Sequence, residues 1–122
     1  IYIAAPWAHK AAARAAAEQM EVAGHTITTK WWEHPDVPGY LIDDTNDELA
    51  VQAYEDIKGV MDADLFLLLN SEVSEGKCVE TGIAIAEGIP ILIVGQRSNL
   101  FHYLPAIPVV PSVSAAVAYL RL

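Results

Sequence analysis

The segment NSEVSEGKCVE, Asn70 to Glu80, carries the densest set of reactive side chains in the chain. Glu80 is expected in the first turn of a helix that starts near Lys77, facing a crevice. A carboxylate there can attack an anomeric carbon and form a glycosyl-enzyme, as retaining glycosidases do. It can equally be a helix-start glutamate that complements the dipole, since acidic residues are enriched in first turns. Ser71, Ser74 and Gly76 precede the helix start. Free backbone N–H groups there suit a phosphate or a hydroxyl. Asp56 is open in the same way, because most helical aspartates are simply solvated. Tyr2, in the apolar opening run IYIA, has the position of a core residue. A buried phenol still needs a partner, and a nearby carboxylate would serve.

These residues need a scaffold that brings three segments together. Five apolar or β-branched runs are expected as strands: Ile1 to Ala4, His25 to Trp31, Asp64 to Asn70, Pro90 to Gly95 and Ile107 to Val110. Helical stretches alternate with them. Ala8 to Val22 is Ala-rich and ends before Gly24; Thr45 to Met61 opens on a Thr45/Glu48 capping box; Cys78 to Glu87 stops at Gly88; the last is capped by Ser112. Leu49, Tyr54, Ile57, Val60 and Met61 are expected to form the apolar stripe of the second helix. Glu33 to Asp44, with Pro35, Pro38 and Gly39, reads as a long loop with a binding role.

Alternating strands and helices, with strands apolar on both faces, predict an α/β fold. It is a three-layer flavodoxin-like or Rossmann-like sandwich around a five-stranded parallel sheet of order 2-1-3-4-5. Ligands of such sheets lie beyond the carboxyl ends of the strands at the switch point. There Ala4 to His9, Asn70 to Glu80 and Gly95 to Tyr103 converge.

Composition narrows the partners. The 122 residues are 53% hydrophobic, enough for one domain over 1–122 with a real core. A net charge of −9 argues against a nucleic-acid polymer or an anionic membrane, yet leaves room for one small phosphate held locally. The longest apolar stretch, Ala84 to Val94, is broken by Glu87, Gly88 and Pro90 and falls short of the roughly 20 apolar residues of a span. With no secretory leader and a single cysteine, Cys78, the expectation is a cytoplasmic protein without disulfides. A few residues are expected before Ile1, because the chain opens directly in a strand. His9, His25, His34 and His102 lack zinc-type spacing, so no metal and no cofactor are expected.

Taken in order, IYIAAPW with Tyr2, the EDIK of Asp56 eight positions before Asp64, SEGKCVETG with Glu80, and AIAEGIP before a strand form one pattern over nearly the whole chain. In this the chain resembles the nucleoside 2-deoxyribosyltransferase-like superfamily, which includes the 2'-deoxynucleoside 5'-phosphate N-hydrolases. The resemblance implies that Glu80 is the nucleophile, that Tyr2 orients it, and that Asp56 acts near the sugar or protonates the leaving base. It implies that Ser74 and Gly76 hold the 5' end of a small nucleoside or nucleotide. It also implies a homodimer or larger homo-oligomer with shared sites, a residue among Asn99, His102 and Tyr103 reaching the neighbour's pocket. The family's nucleoside transferases have an aspartate six positions before the nucleophile, and its nucleotide hydrolases a serine. Ser74 stands there in this chain, so the resemblance implies a 5'-monophosphate substrate. Glu72 and Glu75 flank it, and the first loop has Pro6 to Lys10 in place of a glycine- and arginine-bearing loop. His9 or Lys10 could supply the positive charge instead. Trp7 could stack on the base, as could Trp31 or Trp32, which are at least as readily packing residues. Hydrolysis of a nucleoside 5'-monophosphate, base exchange between free deoxynucleosides, and nucleotide binding without catalysis are the three functions to separate.

Overall fold

The computed structural model describes residues 1–34 and 47–121. The expected loop beyond His34 and the Thr45 cap lie outside the described residues. Four strands, β1 (Tyr2–Ala4), β2 (Phe66–Asn70), β3 (Ile91–Gly95) and β4 (Val109–Val110), form one parallel sheet in the order β1-β2-β3-β4. Helices α1 (Lys10–Val22), α2 (Asp47–Met61), α3 (Glu75–Ala86) and α4 (Val113–Leu120) flank it. They pair as α1 with α4 and α2 with α3. This is an α/β fold consistent with a flavodoxin-like arrangement. Among the described residues no helix is long and apolar enough to cross a membrane.

Among the described residues the sheet has four strands where five were expected, and the reason lies in one carbonyl. Neighbouring residues of a strand point their N–H and C=O groups to opposite sides. The Tyr2 N–H donates to Leu65 O at 3.0 Å, toward β2, so Ile1 and Ile3 face the other edge. On that edge the Thr28 N–H donates to Ile1 O at 3.0 Å. A continuing ladder would next bring the Lys30 N–H to Ile3 O. Instead the Trp31 indole N–H takes that carbonyl at 2.7 Å, and the chain turns into a short 3-10 stretch, Trp31–Glu33. His25 to Lys30 therefore lies beside β1 with alternating half-buried and exposed side chains, but without a ladder. At the opposite edge β4 is only two residues long, since Pro108 has no N–H to donate and offers only its carbonyl, to Ile93 N.

Packing follows the apolar pattern closely in α1. Its buried residues are Ala13, Ala16, Ala17 and Met20, one helical face of small side chains that lets the helix approach the sheet. All five residues of β2 are buried, with Leu67 between Ile3 and Leu92 in the ladder. Helix α2 departs from its expected stripe. Gly59 and Val60 are its buried residues, whereas Val51, Tyr54 and Met61 are exposed. The face that the helix turns inward is the one with Asp56 and Gly59, not the one richest in apolar side chains.

Gly59 sets how closely α2 approaches. A Cβ at this position would overlap Thr29 Oγ1 and come within 3.1 Å of Tyr2 Cδ2. The Gly59 carbonyl also accepts from the Thr28 hydroxyl at 2.8 Å. Gly59→Ala is therefore expected to destabilise the fold by about 1–3 kcal/mol, the usual range for overpacking. Urea unfolding reads this directly. An unchanged midpoint and slope would mean that the segment carrying Thr29 yields freely.

Candidate active site

Tyr2 and Glu80 are 78 positions apart and touch. Tyr2 sits in β1, fully buried, its ring stacked on Phe66 with centroids 5.7 Å apart and planes 10° from parallel. The adjacent strand thus fixes the phenol, and its hydroxyl donates to Glu80 Oε2. Burial first, then the charges of Glu80 and Asp56, push the phenol above its ordinary range, so it stays a donor at any physiological pH. Glu80 is the sixth residue of α3, not a first-turn residue, because the helix starts at Glu75 rather than near Lys77. That removes most of the helix-dipole explanation for a carboxylate here, whose effect fades beyond the first turn.

Burial pushes the Glu80 carboxyl up to about 7; the Tyr2 hydrogen bond opposes this and the charge of Asp56 adds to it. Asp56 enters from α2. Burial pushes it up to about 6, against the nearby His34, with Glu55 adding to the rise. Its Oδ1 is buried and has no hydrogen-bond partner among the described residues. A buried polar atom without a partner is costly, and such atoms mark sites where a ligand supplies the missing bond.

The two carboxylates line one cavity of about 410 Å³, within the size range of small-molecule sites. Ala5, Trp7 and Trp31 form one wall, Ala53 and Ile57 of α2 another, and Ser74, Gly76, Lys77, Val79 and Ile83 of α3 and its approach a third. Trp7 stacks on Trp31 with centroids 5.7 Å apart, and the Lys10 ammonium lies 4.0 Å from the centre of the Trp7 ring. Trp7 and Trp31 therefore make this wall aromatic, with the Lys10 ammonium held against the Trp7 ring. Ser74 stands at the N-cap of α3, but its hydroxyl makes no capping bond.

Other expected site residues lie elsewhere. His9 does not line this cavity. Its Nδ1 meets Ser71 Oγ at 3.0 Å and its Nε2 meets Glu72 Oε1 at 3.4 Å, so it braces the loop before α3. Trp32 is buried edge-on against Trp31 and is packing. Asn99 and His102 belong to a second cavity, of about 130 Å³, on the β3 side of the start of α3. Asn99 Oδ1 accepts from Phe101 N at 2.9 Å, and the buried His102 accepts at Nδ1 from Ser98 N at 3.0 Å. Local bonds hold both within their own chain. Tyr103 is exposed, with Arg97 5.3 Å from its ring centre.

One residue was overlooked in the sequence. Lys77 is 3% exposed and lines both cavities. Its spacing of three from Ser74 and three from Glu80 puts it on the same helix face as both, and that spacing was the available signal. Its Nζ donates to Asn70 Oδ1 at 2.8 Å and to the Glu72 carbonyl. Asn70 is held in turn by Gln96 O at 2.6 Å and Ser98 Oγ at 3.0 Å. Gly95 permits this crossing: at φ +112, a Cβ there would lie 2.9 Å from Asn70 O.

Among the described residues no group of three or more His, Cys, Asp or Glu side chains could hold a metal ion. Comparison of the chain with protein-family models, with curated proteins and with solved structures finds no match.

Proposed function

We propose that the chain cleaves the N-glycosidic bond of a 2'-deoxynucleoside 5'-monophosphate through a covalent sugar–Glu80 intermediate. The observation that carries this reading is the pair of Glu80 and Asp56, brought by two helices into one cavity with an aromatic wall, with the buried Tyr2 of β1 bonded to Glu80. Tyr2 occupies Oε2 of Glu80 and leaves Oε1 for C1'. As the Glu80–C1' bond forms, the C1'–N bond breaks. The base leaves with the bonding pair and takes a proton from Asp56. Water then adds to C1', returns a proton to Asp56 and frees Glu80, which yields 2-deoxyribose 5-phosphate. The chemistry calls for no cofactor.

The same reading makes the chain a member of the nucleoside 2-deoxyribosyltransferase-like superfamily, with the His25 to Lys30 segment in the place of the edge strand of a 2-1-3-4-5 sheet. It makes the chain a cytoplasmic salvage enzyme that works as a homodimer or larger homo-oligomer. The exposed Val51, Tyr54 and Met61 of α2 and the exposed Leu100, Phe101 and Tyr103 are apolar surface available to such an assembly. Base exchange between free deoxynucleosides is the second reading. Trp7 favours it, because the transferases of that superfamily have an aromatic residue at this place.

A base-release assay on deoxynucleosides and their 5'-monophosphates, each with and without a second free base, tests the proposal. Release from monophosphates with no acceptor is the expected result. Release that requires an acceptor and prefers free nucleosides would replace the hydrolase by the transferase. Binding without any release of base would leave a nucleotide-binding module.

A further inference from the structure

In the lining of the 130 Å³ cavity beside the Glu80 cavity, Asn99 and His102 turn two donors toward each other. Two backbone groups determine this. The Ser98 N–H can only donate, so His102 Nδ1 must be unprotonated to accept it, and the neutral ring carries its proton on Nε2. Burial, reinforced by the charges of Lys77 and Arg97, pulls His102 below the usual imidazole range and keeps it neutral. The Phe101 N–H likewise can only donate, so the Asn99 oxygen must face it and the amide nitrogen must face away. His102 Nε2 and Asn99 Nδ2, both donors, are left 3.3 Å apart. Turning the amide over would set its NH2 against the Phe101 N–H instead. His102 is 3% exposed, so solvent does not relieve the conflict from outside.

Across the cavity stands the Lys77 ammonium, also 3% exposed. Its acceptors are an amide oxygen and a backbone carbonyl, both neutral, and no carboxylate lies within ion-pair distance of it among the described residues. Burial lowers its affinity for the proton, which the neighbouring Cys78 and Glu72 partly offset. A buried cation without a counter-charge is unfavourable unless an anion joins it. Glu72 and Glu75 line neither cavity, so no carboxylate already fills that place.

We propose that this cavity is a phosphate site built by Lys77, His102 and Asn99. Resting on the glycosidic reading above, it holds the 5'-phosphate of a nucleotide whose sugar and base occupy the Glu80 cavity. Ser74 and Lys77 line both spaces, so the two adjoin at the start of α3. The cavity has the volume of about four waters, room for one phosphate group and not for a sugar. Phosphate oxygens would accept from Nε2, Nδ2 and the ammonium at once, which resolves the donor conflict and balances the charge. The selection of phosphorylated ligands then lies within one chain.

Asn99→Asp is the test. Aspartate keeps the acceptor that caps Phe101 and can accept from His102 Nε2, so the fold is expected to melt no lower than the parent. It also puts a negative charge where the phosphate would lie. Calorimetric titrations use the full chain in a Glu80→Gln background, which prevents turnover. The ligands are inorganic phosphate, a deoxynucleoside 5'-monophosphate and the matching deoxynucleoside. The parent is expected to bind the monophosphate more tightly than the nucleoside, with inorganic phosphate competing. Asn99→Asp should cut that preference by about 10- to 100-fold, the scale of one charge-assisted hydrogen bond. Lys77→Gln should reduce it similarly, whereas a purely structural role would weaken both ligands in proportion and leave the ratio unchanged. A parent without the preference, or a preference untouched in Asn99→Asp, overturns the proposal. So does phosphate that binds without competing with the nucleotide, since the cavity would then be a free-phosphate site unconnected to Glu80. The glycosidic reading is judged separately. If no substrate releases base but the phosphate preference is present and lost in Asn99→Asp, the anion site stands and the glycosidase falls.

Discussion

Replacing Glu80 by glutamine is expected to lower kcat for base release on the order of 10⁴-fold or more while making the protein more heat-stable above neutral pH. The loss of rate follows from chemistry: a neutral amide oxygen cannot form the glycosyl ester, and Asp56, the other carboxyl of the cavity, serves as the acid. The gain in stability follows from burial. Glu80 is a carboxyl whose folded value, about 7, stands above the unfolded one. The folded state therefore holds a proton that the unfolded state releases. The resulting stability is complete below the unfolded value and is lost as pH rises through about 7. At about pH 8 the wild-type protein carries a poorly solvated charge, and the glutamine variant does not. The amide oxygen introduced by the substitution can still accept from the Tyr2 hydroxyl. Thermal melts of both proteins should then differ by several degrees near pH 8 and converge near pH 5. Undiminished base release in Glu80→Gln would remove the nucleophile from the mechanism. A melting difference that ignores pH would mean that the carboxyl is not held in a poorly solvated place.

The parts of the fold that follow from periodicity could be read in the residues. Ala13, Ala16, Ala17 and Met20 recur at helical spacing and are buried together, and the apolar run of β2 is buried throughout. What escaped were contacts that periodicity does not encode. His25 to Trp31 has the composition of a strand, but whether a ladder continues depends on which donor takes the Ile3 carbonyl, and the Trp31 indole takes it. In α2 the apolar residues outnumber the face available to them, and a glycine's close approach to Thr29 decides which side turns inward. The pairing of Tyr2 with Glu80 spans most of the chain and was expected only through the family resemblance, since no local rule joins residues so far apart. Asn99 and His102 stood among the candidates to reach a neighbour's pocket, and within this chain both bond locally. Asparagine at a helix start and histidine near a backbone N–H bond locally, and that habit was a reason to expect them folded inward rather than reaching for a neighbour.

Asp56→Asn is expected to reduce kcat/KM about 10²- to 10⁴-fold and to change the shape of its pH dependence. In the wild-type enzyme the productive form has a proton on Asp56 and none on Glu80; it is the minor arrangement of the one proton that the two carboxyls share, since Glu80 holds its proton to the higher pH. The two carboxyls titrate as a pair with apparent values near about 6 and about 7. Below the first, both are protonated and the nucleophile is lost; above the second, neither is, and the acid is lost. Activity should thus form a narrow bell between them. Asparagine can still accept or donate a hydrogen bond at the place where the buried Oδ1 has no partner among the described residues, but it holds no titrating proton. The alkaline limb should disappear and leave a single rise with pH. Its midpoint should fall below about 7, because the charge of Asp56 no longer disfavours ionisation of Glu80. Initial rates measured on both sides of neutrality for the two proteins distinguish these shapes. If Asp56→Asn keeps the alkaline limb, the proton for the leaving base comes from another group, and Asp56 acts only through its hydrogen bonds to the sugar.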